Sequence, residues 1–286
     1  MTRTVLITGC SSGIGEACAL QLEGSGWLVF AGVRRDEDGQ RLSRASSGKL
    51  VPILIDVTDA RSITEAVRQV SERVVGTGLQ GLVNNAGIAG GGPLEYVALD
   101  DFRKVFEVNV FGLLAATQAF LPLLHQGHGR IVNIGSIAGR VTTPLLGPYC
   151  ASKHAVEAMS DALRMELLHS GLYTSVVEPG VVATPIWDKA AQGPSAFERL
   201  PPEGLARYGN LGAALARMIQ RAPRRAVPMS AVVEVVEHAL TAGRPRPRYL
   251  VGGDARVRLM LQTVLPRRWM DSLILRVFRR FEPRAA

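Results

Sequence analysis

Cysteine is scarce in this chain of 286 residues, with only Cys10, Cys18 and Cys150 present. Three scattered thiols make neither a disulfide framework nor a zinc cluster, and they fit a reducing compartment such as the cytoplasm. Long apolar runs are missing as well. No stretch reaches the roughly 18 uninterrupted apolar residues of a membrane-spanning helix. The chain runs straight into Val5-Leu6-Ile7 with no cleavable signal pattern. No repeat or low-complexity tract is visible. A content of 47% hydrophobic and 20% charged residues argues against a disordered or collagen-like chain. The length suits one large domain that buries roughly three-quarters of its unfolded surface.

What is present in excess is positive charge, a net +8, and its location matters more than its size. Residues 244–286 hold eleven arginines against Asp254, Asp271 and Glu282, which accounts for the whole excess and leaves the rest neutral. A generally basic surface of the kind that coats nucleic acid is therefore disfavoured.

Short apolar runs alternate with helix-length amphipathic stretches. Thr4–Ile7, Leu28–Val33, Val51–Ile55, Leu82–Val83, Ile131–Ile134 and Ser175–Val177 read as buried strands, rich in Val and Ile and flanked by Gly, Asp or Asn. Residues 14–24, 61–75, 100–124 and 149–169 carry apolar residues at helical spacing. Asp59 and Ser62 sit where helices start, and Gly26, Gly76, Gly127 and Gly171 where they stop. This alternation predicts an α/β fold, a doubly wound parallel sheet of Rossmann type with helices on both faces. It spans residues 1–255, with Arg248–Gly252 as a candidate last strand. The Pro-, Gly- and Ala-rich segment 185–230 breaks the rhythm and reads as an insertion near the ligand mouth. Residues 256–286 form a basic amphipathic helical tail, split by Pro266.

Thr8-Gly9-Cys10-Ser11-Ser12-Gly13-Ile14-Gly15 follows the first strand and opens the first helix. That is the context a nucleotide-binding turn needs. Gly9 allows the tight turn, Gly13 lets the backbone approach a pyrophosphate, and Gly15 packs helix on strand. After the second strand come Arg34 and Arg35, while the position where an acid would hold the ribose hydroxyls of NAD is Val33. The pattern favours NADP over NAD, although Asp36, Glu37 and Asp38 are close enough to neutralise the pair. Asp56-Val57 and Asn84-Asn85-Ala86-Gly87 close the third and fourth strands, at the sheet edge where such ligands lie. Asp56 can accept from an adenine amino group. Taken alone, these are a capping Asp and an Asn-rich turn.

Tyr149 and Lys153 fall at i and i+4, on one face of a helix. A free Tyr is a poor base at neutral pH, and an ammonium beside it lowers its pKa. Ser136 lies just past a strand end on the same sheet edge and can hydrogen-bond a substrate oxygen. Asn109 is a polar residue within an apolar helical stretch. It can hold a water that passes protons to Lys153, or be a satisfied polar group in a helix interface.

Together these residues resemble the short-chain dehydrogenases/reductases, whose marks run in order across about residues 3–185: Thr8–Gly15, Asp56-Val57, Asn84–Gly87, Asn109, Ser136, Tyr149–Lys153 and Pro179-Gly180. The resemblance implies an NAD(P)-dependent oxidoreductase of small-molecule alcohols and carbonyls. In it Tyr149 is the acid/base, Lys153 lowers its pKa and holds the nicotinamide ribose, Ser136 orients the substrate carbonyl, and Asn109 completes the relay. Asn85 contacts the adjoining ribose through its backbone. Gly180, Val182 and Thr184 lie by the nicotinamide, and Arg34 looks like the NADP-preferring version. A homodimer or homotetramer through the helices at 100–124 and 149–169 is implied too. Val29–Arg34 and Pro247–Ala255 look like the branch with retinol and 17β-hydroxysteroid dehydrogenases, which implies a bulky lipophilic substrate.

Other readings stay open. A noncatalytic nucleotide sensor or scaffold on the same fold would show a broken Ser-Tyr-Lys set, and a reductase of small ketones or an epimerase would share the motifs. The five histidines make no metal pattern, and Cys150 reads as a buried thiol. The tail, with Trp269, Phe278 and Phe281 among its arginines, fits a membrane interface, a lid over the substrate cleft or a subunit contact.

Overall fold

The computed structural model describes residues 2–186, 197–221 and 226–282. Parts of the predicted insertion and the last four residues of the tail lie outside that range. Seven parallel strands form one sheet: β1 (Thr4–Ile7), β2 (Leu28–Val33), β3 (Leu50–Leu54), β4 (Gly81–Asn84), β5 (Arg130–Ile134), β6 (Tyr173–Pro179) and β7 (Arg248–Val251), in the order β3-β2-β1-β4-β5-β6-β7. Every expected strand is present, with ends moved by one or two residues. The order reverses between β1 and β4, which opens a crevice at their C-terminal ends.

Strand period two sorts the core into two layers. Val5 and Ile7 of β1 face one way with Val29, Ala31, Val83 and Val132. They pack on Cys18, Ala19 and Leu22 of α1 (Gly13–Gly24) and on Val232, Val233 and Val236 of α8 (Met229–Thr241). Leu6 faces the other way with Phe30, Ile53, Leu82 and Ile131. There it meets Ile63, Ala66 and Val70 of α3 (Ala60–Arg73) and Phe120 and Leu124 of α5 (Gly112–Gly127). Each of these side chains is worth roughly 1.5–3 kcal/mol of apolar transfer when fully buried.

α4 (Leu99–Phe106) runs through a π-helical segment, Glu107–Phe111, directly into α5. Leu99–Gly127 is long and apolar enough to cross a membrane by length and composition, yet α5 spends its buried face on the sheet and α3, as a core helix does. Asp59 caps α3 by accepting from the Arg61 N–H at 2.8 Å. Ser62, the other expected cap, lies inside the first turn and accepts instead from the Asp56 N–H. Gly127 is the last residue of α5 but not its left-handed stop, which is His128 at φ 49°. A Cβ on Gly127 would stand 2.5 Å from the Leu79 carbonyl oxygen, so close approach explains that glycine.

Three helices depart from the sequence reading. α2 (Asp36–Ala45) follows the paired arginines, α7 (Pro202–Arg221) occupies much of the segment read as an irregular insertion, and α8 follows it where no helix was expected. α6 (Gly147–Leu167) closes the chemistry-bearing edge. The tail forms α9 (Gly253–Val264) and α10 (Arg267–Arg279), parted at Pro266 as expected. Their inner faces cover the segment after Ser136. Ala255 and Met270 pack on Ile137 and Val141, and Phe278 packs on Leu145, Ala214 and Leu215.

Candidate active site

The glycine-rich turn is held open by its neighbours. The Thr8 hydroxyl accepts from the N–H groups of Asn85 and Ala86, both at 3.0 Å, and so ties the end of β1 to the end of β4. The Asn85 amide donates to the carbonyls of Thr8 and Gly9 at 2.9 and 3.0 Å. Gly9 has φ +72°, and a Cβ there would stand 2.8 Å from the Ala86 Cα. Gly13 has φ +65° with Thr184 packed over it, and Ile14 and Gly15 carry α1 inward from there. Ser12 takes the N-cap position of α1 in extended geometry, with no side-chain cap bond across the first turn. A helix N-terminus presented on a glycine turn suits a pyrophosphate, so the residues present fit a dinucleotide.

Around the crevice, Asp56 uses one carboxylate oxygen on the Thr58 N–H and hydroxyl at 2.9 and 2.7 Å. Its neighbour Val57 is buried against Gly112. Arg34 stands exposed at the C-terminal end of β2, and Arg35 takes the N-cap position of α2. The competing acids Asp36, Glu37 and Asp38 form the first turn of α2, where the helix dipole favours them. Neither Arg34 nor Arg35 takes part in an ion pair among the described residues. Arg41 of α2 was not singled out in the sequence, yet its guanidinium donates to the Ser11 carbonyl at 2.8 Å and pairs with Glu16. On the far side, Pro179 ends β6, Gly180 donates to the Val251 carbonyl, and Val182 bridges to Val227. Thr184 thereby packs against Gly13 of the glycine turn.

The chemistry-bearing side chains meet at the start of α6. Tyr149 is buried, and its hydroxyl shares a hydrogen bond with Ser136. Ser136 accepts from the Ala138 N–H at 3.1 Å, so its own proton is directed elsewhere. The Lys153 ammonium is buried, lies 5.9 Å from the Tyr149 ring centroid and donates to the Ile134 carbonyl at 2.7 Å. Asn109 stands in the π-helical segment. Its amide donates to the Ile88 carbonyl and the Ser152 hydroxyl, both at 3.0 Å, and its oxygen accepts from the Ile88 N–H at 2.8 Å. Gly87 lies directly beside that oxygen. Both N–H groups of the amide are engaged by protein, so a relay water on Asn109 would have to be a donor to an oxygen.

Lys153 was expected to lower the Tyr149 pKa, and an ammonium beside a phenol does favour the phenolate. Burial outweighs that effect and pushes the net value up to about 12, with the Ser136 hydrogen bond opposing. Burial also brings Lys153 down to about 8, against the pull of Glu157. Tyr149 is therefore a proton-bearing phenol at neutral pH, which suits a donor better than a base.

Comparison with known proteins now decides the family. A family profile described as short chain dehydrogenase matches residues 3–195. The chain belongs to the short-chain dehydrogenase family. It is 40% identical to human retinol dehydrogenase 5 over 281 residues, covering 94% of this chain and 87% of that protein. It is 34% identical to an NADPH-dependent 3-dehydrocapnine reductase of Ornithobacterium rhinotracheale, covering 95% of each. A short-chain dehydrogenase/reductase of Burkholderia phymatum, solved in complex with NAD, superposes with a TM-score of 0.77 at 26% identity, covering 91% of this chain and 92% of that one. This dehydrogenase thus sits in the retinol-dehydrogenase-like branch, and it interconverts alcohol and carbonyl groups with a nicotinamide dinucleotide.

Sequence reasoning passed over Glu157, Glu178 and Arg248, which join beneath Lys153. Arg248 Nε donates to a Glu157 oxygen at 3.0 Å and lies 3.3 Å from Glu178, and a second nitrogen of the same guanidinium pairs with Asp161. A spacing of Lys153, Glu157 and Asp161 by four residues was the one available signal, but α6 carries acids elsewhere too.

Proposed function

We propose that this dehydrogenase reduces the carbonyl of a bulky lipophilic substrate, steroid- or retinoid-like, using NADPH in preference to NADH. The observation that carries the reading is the buried Ser136–Tyr149–Lys153 set beside the glycine turn. When bound, the reduced nicotinamide supplies a hydride to the carbonyl carbon. Ser136 donates to the carbonyl oxygen and orients it, and the Tyr149 phenol gives its proton to that oxygen as charge develops. Lys153 keeps an ammonium beside Tyr149 and favours the phenolate left behind. Asn109 fixes the strand-end segment at Ile88 and the helix at Ser152, so it positions α6 rather than touching substrate. The intact set argues against a noncatalytic sensor. The wall built from Ile137, Val141, Leu145, α7 and the tail is apolar, which favours a lipophilic substrate over small ketones. The retinol dehydrogenase among its relatives supports the same substrate class, and the NADPH-dependent 3-dehydrocapnine reductase supports the reductive use of NADPH.

NADPH preference is inferred from Arg34, exposed just past the C-terminal end of β2, because an arginine there suits a ribose 2′-phosphate. The tail serves two faces. Its inner face walls the substrate side, and its outer face exposes Met260, Val264 and Trp269 among Arg256, Arg267 and Arg268. We assign that outer face to peripheral contact of a cytoplasmic enzyme with an anionic lipid surface, each basic side chain adding about 1 kcal/mol. Exposed Leu99 and Phe111 on the α4–α5 helix, with Met165 and Leu168 at the end of α6, fit self-association into a dimer or tetramer.

Four outcomes test these readings. Tyr149→Phe should lower kcat by about 100- to 10,000-fold while NADPH still quenches or enhances fluorescence on titration; a fully active variant would refute the proton-donor role. Arg34→Ala should weaken NADPH binding roughly 10- to 100-fold and leave NADH unchanged, whereas equal losses for both would remove the phosphate clamp. In co-sedimentation with phosphatidylserine vesicles at low salt, Trp269→Glu combined with Arg267→Glu and Arg268→Glu should leave the protein in the supernatant; partitioning like that of the unmodified chain rejects the lipid contact. Light scattering should give two or four times the chain mass, and Phe111→Asp should reduce it, while a monomer in both cases dismisses the helix interface.

A further inference from the structure

Below Lys153 lies a buried acid pair that the mechanism leaves unused. Tyr149, Lys153, Glu157 and Asp161 follow one another at four-residue steps along α6, so they share one helix face. Glu157 is buried, and one of its carboxyl oxygens takes Arg248 Nε. Its other oxygen, Oε1, is buried and receives no donor among the described residues. That oxygen would stand 3.0 Å from a Cβ on Gly135, and the Glu157 Cγ would stand 3.1 Å from one on Gly139. Gly135 and Gly139 flank the turn that carries Ser136, so the carboxyl is seated directly on the base of that turn. Facing it from β6 is Glu178, 1% exposed, whose own oxygen takes Arg140 Nη1 at 3.1 Å.

The charged groups around Glu157 come from four elements, with Arg164 of α6 also pairing to Asp161. Lys153 and Asp161 come from its own helix, Glu178 from β6, Arg248 from β7, and Arg140 from the turn after Ser136, where it faces Glu178. Two buried carboxyls that lean on the same Arg248 Nε–H do not both ionise readily, and the Glu157 oxygen that receives no donor is the place for a retained proton. We propose that Glu157 and Glu178 share a proton beneath the active site, and that Glu157 acts as a positioning residue which seats the Ser136 turn and sets the charge felt by Lys153. When the pair releases its proton, Lys153 gains a neighbouring anion and holds its ammonium to higher pH. When the pair is protonated, that support is withdrawn. Burial and the Glu178 carboxyl together bring Glu157 to about 7, so the exchange falls near neutrality.

The effect on turnover rests on the reductase reading, so the experiment needs a readout that does not. Carboxyl-labelled glutamate NMR on the full chain should show a carboxyl with a midpoint near neutrality, absent in Glu157→Gln and moved to lower pH in Glu178→Gln. In NADPH-dependent reduction of retinaldehyde as probe, Glu157→Gln should erase the near-neutral step of the kcat profile. It should also draw the alkaline limb, which follows Lys153, down by about one pH unit. Glu178→Gln should shift the near-neutral step downward and leave the alkaline limb in place. A purely structural role would scale kcat without moving either feature, so profiles superposable on the unmodified enzyme overturn the proposal. If Glu157→Gln does not fold, an unmoved carboxyl midpoint in Glu178→Gln overturns it equally. Inactivity of every form towards retinaldehyde would count against the substrate reading alone, and the NMR midpoints would still decide the proton pair.

Discussion

A buried ammonium must have a partner, and at Lys153 that requirement fixes where α6 lies. Its bond to the Ile134 carbonyl can form in only one register of helix on strand. The same register is enforced lower down, where Asn133 of β5 donates to the Ser160 hydroxyl at 2.8 Å and accepts from Asn84 at 2.9 Å. Asn84 also donates to Thr117 of α5, so one polar chain threads from α5 across two strands to α6. Sliding α6 by one residue would strand several of these groups without partners, each at about 1–3 kcal/mol. Tyr149 takes its place from that arrangement together with its bond to Ser136 and its packing on Ala138.

The second fixed point is the crevice between β1 and β4. Thr8 and Asn85 bind the ends of these strands to the glycine turn from both sides. The protein's own carbonyls and amides hold the turn in shape. Preorganisation of this kind spares a ligand the ordering of a loop. The two fixed points share β4, and Asn84 and Asn85 face them in turn, one toward the helices and one toward the turn.

Much of this was legible in the residues. The strands could be read because buried parallel strands are short runs of Val and Ile with glycine or Asp at their ends, and the site could be read because its groups recur at fixed steps in the chain. α2 was hidden by its composition: Asp36-Glu37-Asp38 looked like neutralisers of Arg34 and Arg35, and Gly39 interrupts the helical pattern. Gly39 is there because Pro52 comes within 2.9 Å of where its Cβ would be, a contact no local pattern announces. α7 was hidden by Pro201, Pro202 and three glycines, one of which admits the Tyr96 ring and another the Phe197 ring. The Glu157–Arg248 contact joins residues 91 positions apart, and its meaning depends on burial. The sign of the Tyr149 shift was missed for the same reason. Sequence shows which charges are near one another, but not how much water has been removed around them.

The tail's two faces answer to different constraints. Phe278 and Met270 are locked into the wall over the segment after Ser136, where a change of one methylene would be felt throughout a close-packed interface. The arginines on the opposite face touch little and cost little to replace. A lineage carrying this fold can therefore retune what the enzyme rests against, surface by surface, without reshaping the chamber in which it works. The buried wall and the exposed basic face lie on one helix pair, but they can drift independently.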